Sequence, residues 1–161
     1  MKILKEDFKI SKDLYDFVKE YKQEINYNNF DVLFEDAWDT SNLNMTDYIN
    51  LCLVVRRNFP NAINFMTKMP RYFYYESDFT TYKIPRNINT LGRCCFEQSD
   101  YLTDVYIPKE VKVIGYLVFN LCYRLKNIYY EGTEQEWIDL VKNTYSSDFI
   151  NKVEVHYNSK M

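Results

Sequence analysis

A gapless repeat of 23 residues dominates the second half of the chain. The stretch "IPRNINTLGRCCFEQSDYLTDVY" (84–106) aligns directly above "IPKEVKVIGYLVFNLCYRLKNIY" (107–129). Ile84 matches Ile107, Pro85 matches Pro108, Ile88 matches Val111, and Leu91-Gly92 matches Ile114-Gly115. Phe96 matches Phe119, Leu102 matches Leu125, Val105 matches Ile128, and Tyr106 matches Tyr129. A period in the range of roughly 20 to 50 residues marks stacked structural units rather than one folded core. Each unit here offers one short strand followed by a return segment. Neither can bury its apolar side alone, so the units must stack into a solenoid.

The spacing L-x-x-V-x-I of Leu102, Val105 and Ile107 turns three side chains inward. A fainter copy, Phe79, Tyr82 and Ile84, precedes it, and Leu125, Ile128 and Tyr130 follow. About three rungs result, close to the minimum for a stable stack. Pro85 and Pro108 end strand pairing because proline lacks an N–H. Gly92 and Gly115 mark turns that need either close backbone approach or a positive φ. After the last rung, "YYEGTEQEW" leaves the sheet at Gly132, Thr133 and Glu136 form a capping box, and Trp137, Leu140 and Val141 make one apolar stripe. "KVEVHYN" alternates and predicts a final strand. Helix and strand together would cover the open end of the stack, which otherwise is an aggregation edge.

The stretch "IPKEVKVIGYLVFNLCYRLKNIYYEGTEQEWIDL" resembles the BspA-like leucine-rich repeat, whose units read I-P-x-x-V-x-x-I-G-x-x-A-F-x-x-C/N-x-x-L-x-x-I. The sequence from "YYEGTEQEW" to "VEVHYNS" is similar to the C-terminal cap of bacterial members, so the resemblance covers about residues 79–159. It implies a binding scaffold serving adhesion and other recognition tasks, and it implies no activity. Relatives at the cell surface carry a secretion signal. "MKILKEDFKISKD" has no apolar core of that kind, which points to a cytoplasmic protein.

Residues 1–70 carry no repeat. Ser11 is a candidate N-cap, followed by Leu14, Phe17, Val18, Tyr21 and Ile25 at helical spacing. Phe30, Leu33, Phe34, Ala37 and Trp38 form a second stripe. Thr46 is the candidate cap of a third helix containing Tyr48, Ile49, Cys52, Leu53 and Val55 and ending near Pro60, and "NAINFMTKM" is a fourth short segment. The expected fold is therefore α+β: a helical region over 1–70, packed on a short solenoid of repeats over 71–131, with a helix–strand cap over 132–161.

The formal net charge of −3 is too mild for bulk attraction to nucleic acid, and no apolar run reaches the 18 to 20 residues, roughly, that a membrane span needs. The four cysteines form no C-x-x-C pair and are expected as reduced, packed thiols. Nucleotide-binding, hydrolase and zinc-protease motifs are absent, and His156, the one histidine, falls in the cap strand. No cofactor or metal is expected. Between Lys22 and Arg56 there is no basic residue, whereas Asp31, Glu35 and Asp39 recur at i, i+4 and i+8 with Asp36 beside them. Such a row is a solvated helix face, a surface for a basic partner or, less suitably, a cation site, since a straight ridge does not converge on one ion. On the sheet, Thr81, Lys83, Asp104, Tyr106, Asn127 and Tyr129 project outward, and Tyr106 and Tyr129 lie one rung apart as hot-spot candidates or as ordinary solvated tyrosines. The expectation is a non-catalytic protein-binding module. One form is a phage or mobile-element inhibitor that presents the acidic face to the basic groove of a host defence nuclease, in the manner of an anti-CRISPR protein. The alternative is an adhesin-like or cell-surface recognition module.

Overall fold

The computed structural model of the chain describes residues 11–12, 14–16, 30–39, 43–142 and 152–160. The helical positions expected at Phe17, Val18, Tyr21 and Ile25 lie outside these residues. By its internal contacts the chain divides into two compact units, Met1–Met66 and Thr67–Met161.

In the first unit, Leu14 N donates to Ser11 Oγ at 3.1 Å, so Ser11 caps a helical turn. Helix α1, Phe30–Asp39, buries Phe30, Leu33, Phe34 and Ala37, the stripe that 3.6-residue periodicity demands. Trp38 stays at the rim, edge-on to Tyr48 at 5.1 Å. Helix α2 runs Met45–Asn58. Its cap is Asn44 rather than the expected Thr46: extended backbone at Asn44 lets its Oδ1 accept from Asp47 N at 3.0 Å, while Thr46 sits inside the first turn. Asn ranks at least as high as Thr for this role, and the cap must be the last non-helical residue. "NAINFMTKM" is not one segment. Ala62–Phe65 forms a 3-10 turn, and Lys68–Met69 is already a strand of the second unit.

Among its described residues the second unit contains seven short strands: β1 Lys68–Met69, β2 Thr81–Lys83, β3 Thr90–Leu91, β4 Asp104–Ile107, β5 Val113–Ile114, β6 Asn127–Tyr130 and β7 Glu154–His156. All pair in parallel, as β1-β3-β5 in one sheet and β2-β4-β6-β7 in the other. The result is a β-solenoid of about three turns, each with two strands where one was expected. The extra strand leaves no alternation in the sequence because it has only two residues and one inward position, here Met69, Leu91 or Ile114.

The return arcs also stack. Tyr72 N donates to Arg93 O, Tyr74 N to Cys95 O and Glu76 N to Glu97 O, at 2.7–3.1 Å. One coil further, Cys94, Phe96 and Gln98 donate to Tyr116, Val118 and Asn120 at 2.9–3.0 Å. Tyr72, Cys94 and Leu117 share one register position, Glu76, Gln98 and Leu121 another, and all six have positive φ between 50° and 59°. The glycines do not: none has a positive φ. Gly92 and Gly115 are required by close approach alone, because a Cβ would meet Met69 O at 2.5 Å and Leu91 O at 2.8 Å.

Leu102, Val105 and Ile107 are wholly buried; in the preceding coil Ile84 is buried and Phe79 and Tyr82 are half-buried. All four cysteines are free and buried. Burial pushes the Cys122 thiol up to about 12 and that of Cys95 well above its ordinary value, so neither is a nucleophile at neutral pH. Among the described residues no helix is long and apolar enough to cross a membrane.

Helix α3, Glu134–Val141, follows β6. Both halves of its capping box are present: Glu136 N donates to Thr133 Oγ1 at 3.3 Å and Thr133 N to Glu136 Oε2 at 2.7 Å. Gly132 makes room for this, since a Cβ there would meet the Tyr130 ring at 2.6 Å and Glu136 Oε2 at 2.7 Å. Trp137 is buried against Tyr130, ring centroids 5.4 Å apart. Thr133→Ala is expected to cost about 1 kcal/mol, read as a lower urea midpoint. The Thr133 backbone N–H holds the Glu136 carboxyl below its ordinary value. That contribution is present above the ordinary glutamate range and is lost as pH falls through the lowered value. Thr133→Ala keeps that backbone N–H and loses only the smaller contribution, the Thr133 hydroxyl donating to Glu136 Oε2 at 3.0 Å, so only that share of the wild-type advantage should shrink in acid.

Candidate functional site

The outer face of the sheet β2-β4-β6-β7 carries two rows of side chains, each running across all four strands. The register places Thr81, Asp104, Asn127 and Glu154 in one row, and Lys83, Tyr106, Tyr129 and His156 in the other. Period-2 alternation is the cause. Val105, Ile107, Ile128 and Tyr130 face the core, so their neighbours face outward.

The second row is a continuous stack. The Tyr106 and Tyr129 rings lie 4.5 Å apart and 12° from parallel. The Tyr129 and His156 rings lie 4.6 Å apart at 14°. Lys83 Nζ closes the other end, 4.9 Å from the Tyr106 centroid, where the ring's negative face attracts a cation. Both faces of Tyr129 are thus covered. Burial, and then the nearby Asp104 carboxylate, raises the pKa of the Tyr129 phenol, which keeps it a neutral donor.

Asp104 and Asn127 of the first row sit in a chain of hydrogen bonds. Thr103 Oγ1 lies 2.5 Å from Asp104 Oδ2, Asn127 Nδ2 donates to Asp104 Oδ1 at 2.9 Å, and His156 Nε2 meets Asn127 Oδ1 at 3.0 Å. The two rows meet at His156. At the edge of this face Arg86 bridges three coils, 3.1 Å from Glu110 and 2.5 Å from Glu131, and holds the Glu131 carboxyl below its usual range.

Of the residues singled out in sequence, Asp104, Tyr106, Asn127 and Tyr129 come together here. Asp31, Glu35, Asp36 and Asp39 lie on α1 in the first unit, with Glu35 and Asp39 exposed and Asp31 and Asp36 half-buried. Asp31, Glu35 and Asp36 already have interaction partners within the protein. Among the described residues no group of three or more His, Cys, Asp or Glu side chains could hold a metal ion. Sequence reasoning assigned His156 to the cap strand and so missed that it extends the aromatic row. It also missed Glu154. The alternation of "VEVH" was the available signal, but Glu154 pairs with Asn127 across a longer interval than the one that relates Asn127 to Asp104.

A family model described as "BspA type Leucine rich repeat region" matches residues 58–159 in six copies. That span takes in β1, which lies upstream of where the resemblance was legible by eye. No curated protein and no solved structure matches the chain.

Proposed function

Because this chain belongs to the BspA-type leucine-rich repeat family, we propose that it is a non-catalytic protein-interaction module that grips its partner with the outer face of the four-stranded sheet. Solenoids of this family are binding scaffolds, protein-interacting or adhesin-like. The observation that carries the reading is the Lys83–Tyr106–Tyr129–His156 stack. Its inner ring faces cover one another, so Tyr129 cannot sandwich a nucleobase or a sugar. What the row offers outward is ring edges and phenolic hydroxyls, beside a row of amide and carboxylate groups. Such a surface suits the polar backbone and side chains of a protein. Its rotamers are already locked by stacking, so little side-chain entropy remains to be lost on binding.

The second reading is the inhibitor of a defence nuclease, which would use the acidic residues of α1. Their favouring observation is the exposed pair Glu35 and Asp39. Asp31 and Asp36 are half-buried, whereas the stacked row runs unbroken across the sheet, so the sheet face is preferred. Two variants separate the readings. Tyr106→Ala with Tyr129→Ala is expected to weaken a captured partner by about 2 kcal/mol or more, roughly 30-fold in Kd, with the fold intact by circular dichroism. Asp31→Asn, Glu35→Gln, Asp36→Asn and Asp39→Asn together should leave that Kd within about threefold. The reverse pattern transfers the function to α1.

A further inference from the structure

Asn127 sets the tautomer of the single histidine in the chain. Its Nδ2 donates to Asp104 Oδ1 at 2.9 Å. A carboxylate only accepts, so the amide has one orientation, with Oδ1 turned to His156 Nε2 at 3.0 Å. An amide oxygen also only accepts. Nε2 therefore carries a proton, and Nδ1 holds the lone pair of the neutral ring. Nδ1 in turn faces Glu154 Oε1 at 3.8 Å. With the ring neutral, two acceptors oppose each other, and no donor among the described residues stands between them. The gap is open outward, the side chains being 34% and 74% exposed.

We propose that His156 Nδ1 and the Glu154 carboxylate form a notch for a cationic side chain, arginine or lysine, of the bound partner. This rests on the sheet face being the partner surface. A guanidinium or ammonium group supplies the missing donor to both acceptors at once, at about 2.9 Å from each, and its charge is matched by Glu154. Asp104 adds a second negative charge two strands away, roughly 10 Å at the 4.7–4.9 Å strand spacing. Lys83 sits at the opposite end of the stack. The field across the row thus runs from positive at β2 to negative at β7, which orients the partner with its cation over the last rung.

The full chain tests this without a partner. Long-range 1H–15N spectra near pH 8, at the upper end of the range of about 5 to 8 in which histidines titrate, contain one imidazole. They should report the Nε2–H tautomer. N-acetyl-arginine methylamide, added to the order of 10 mM because single exposed ion pairs are weak, should shift Nδ1. The neutral citrulline derivative should not. Glu154→Gln should reduce the arginine response at least about threefold. An Nδ1–H tautomer, or equal responses to arginine and citrulline, overturns the notch. Either result leaves the tyrosine variants free to show whether the sheet face binds the partner, and loss of that role would leave the tautomer and the arginine response readable by themselves.

Discussion

Replacing Gly92 with alanine is expected to remove about 3 kcal/mol of stability or more, a large share of the total of a domain this size. The added Cβ would stand 2.5 Å from Met69 O, 2.7 Å from Arg71 N and 2.8 Å from the carbonyl carbon of Pro70. All three are backbone atoms of the preceding coil, so no side chain can swing aside. The coils themselves must part, and the Gly92 N to Met69 O hydrogen bond at 2.8 Å breaks with them. Gly115→Ala meets the same obstacle against Leu91 and Arg93, at 2.8 Å. Gly132→Ala is the control. The atoms nearest its Cβ are side-chain atoms of the Tyr130 ring and the Glu136 carboxylate rather than backbone, so a smaller loss of about 1 kcal/mol is expected. Urea unfolding followed by tryptophan fluorescence measures all three. A Gly92→Ala loss below about 1 kcal/mol would mean that the coils are less tightly stacked than the Gly92–Met69 hydrogen bond implies.

The same glycines explain why part of the fold was legible and part was not. Wherever the coil length stayed constant, the repeat could be read by eye: Asp104 follows Thr81 and Asn127 follows Asp104 at the same interval. The first coil breaks the rule twice. Met69 pairs with Leu91 across a shorter interval than the one that relates Leu91 to Ile114. The glycine position is taken by Pro70, which has no Cβ clash to avoid against an earlier coil of the sheet. Lys68–Met69 therefore looked like the tail of the helical half. The left-handed positions were hidden for another reason. Positive φ normally announces itself as Gly or Asn, yet Tyr72, Cys94, Leu117, Glu76, Gln98 and Leu121 hold it here. Stacked hydrogen bonds between arcs offset the local strain, and no composition signal survives.

The candidate site was half visible for a related reason. Tyr106 and Tyr129 occupy matching places in the two repeats, so their shared row could be inferred. His156 belongs to the same row, but helix α3 is inserted between β6 and β7 and lengthens the last interval. Asn127, outward and polar, was legible as a contact residue. Its role in orienting the His156 ring was not, because that depends on the Asp104 carboxylate one strand away and on which amide atom faces it.

Phe96→Ala should be the most damaging of the core substitutions, at about 3 to 5 kcal/mol. Phe96 is wholly buried in the middle coil. Its ring stacks on Tyr74 at 5.5 Å below and Phe119 at 5.4 Å above, both 18° from parallel. The Phe79 and Tyr82 rings meet it edge-on at 6.1 and 5.2 Å. Solenoid stability is close to a sum of nearest-neighbour interfaces, and a middle-coil residue belongs to two of them. Truncation therefore opens a cavity that both adjoining coils line, and the hydrogen bond from Tyr82 to the Tyr74 hydroxyl at 2.8 Å resists collapse into it. Phe119 stands in the last full coil and shares a coil interface with Phe96, so Phe119→Ala should cost less by about 1 kcal/mol or more. Phe96→Leu keeps most of the volume and should cost about 1.5 kcal/mol. Urea midpoints for the three variants decide the matter. If Phe119→Ala equals or exceeds Phe96→Ala, stability is not additive over coil interfaces and the stack unfolds from its centre as one unit.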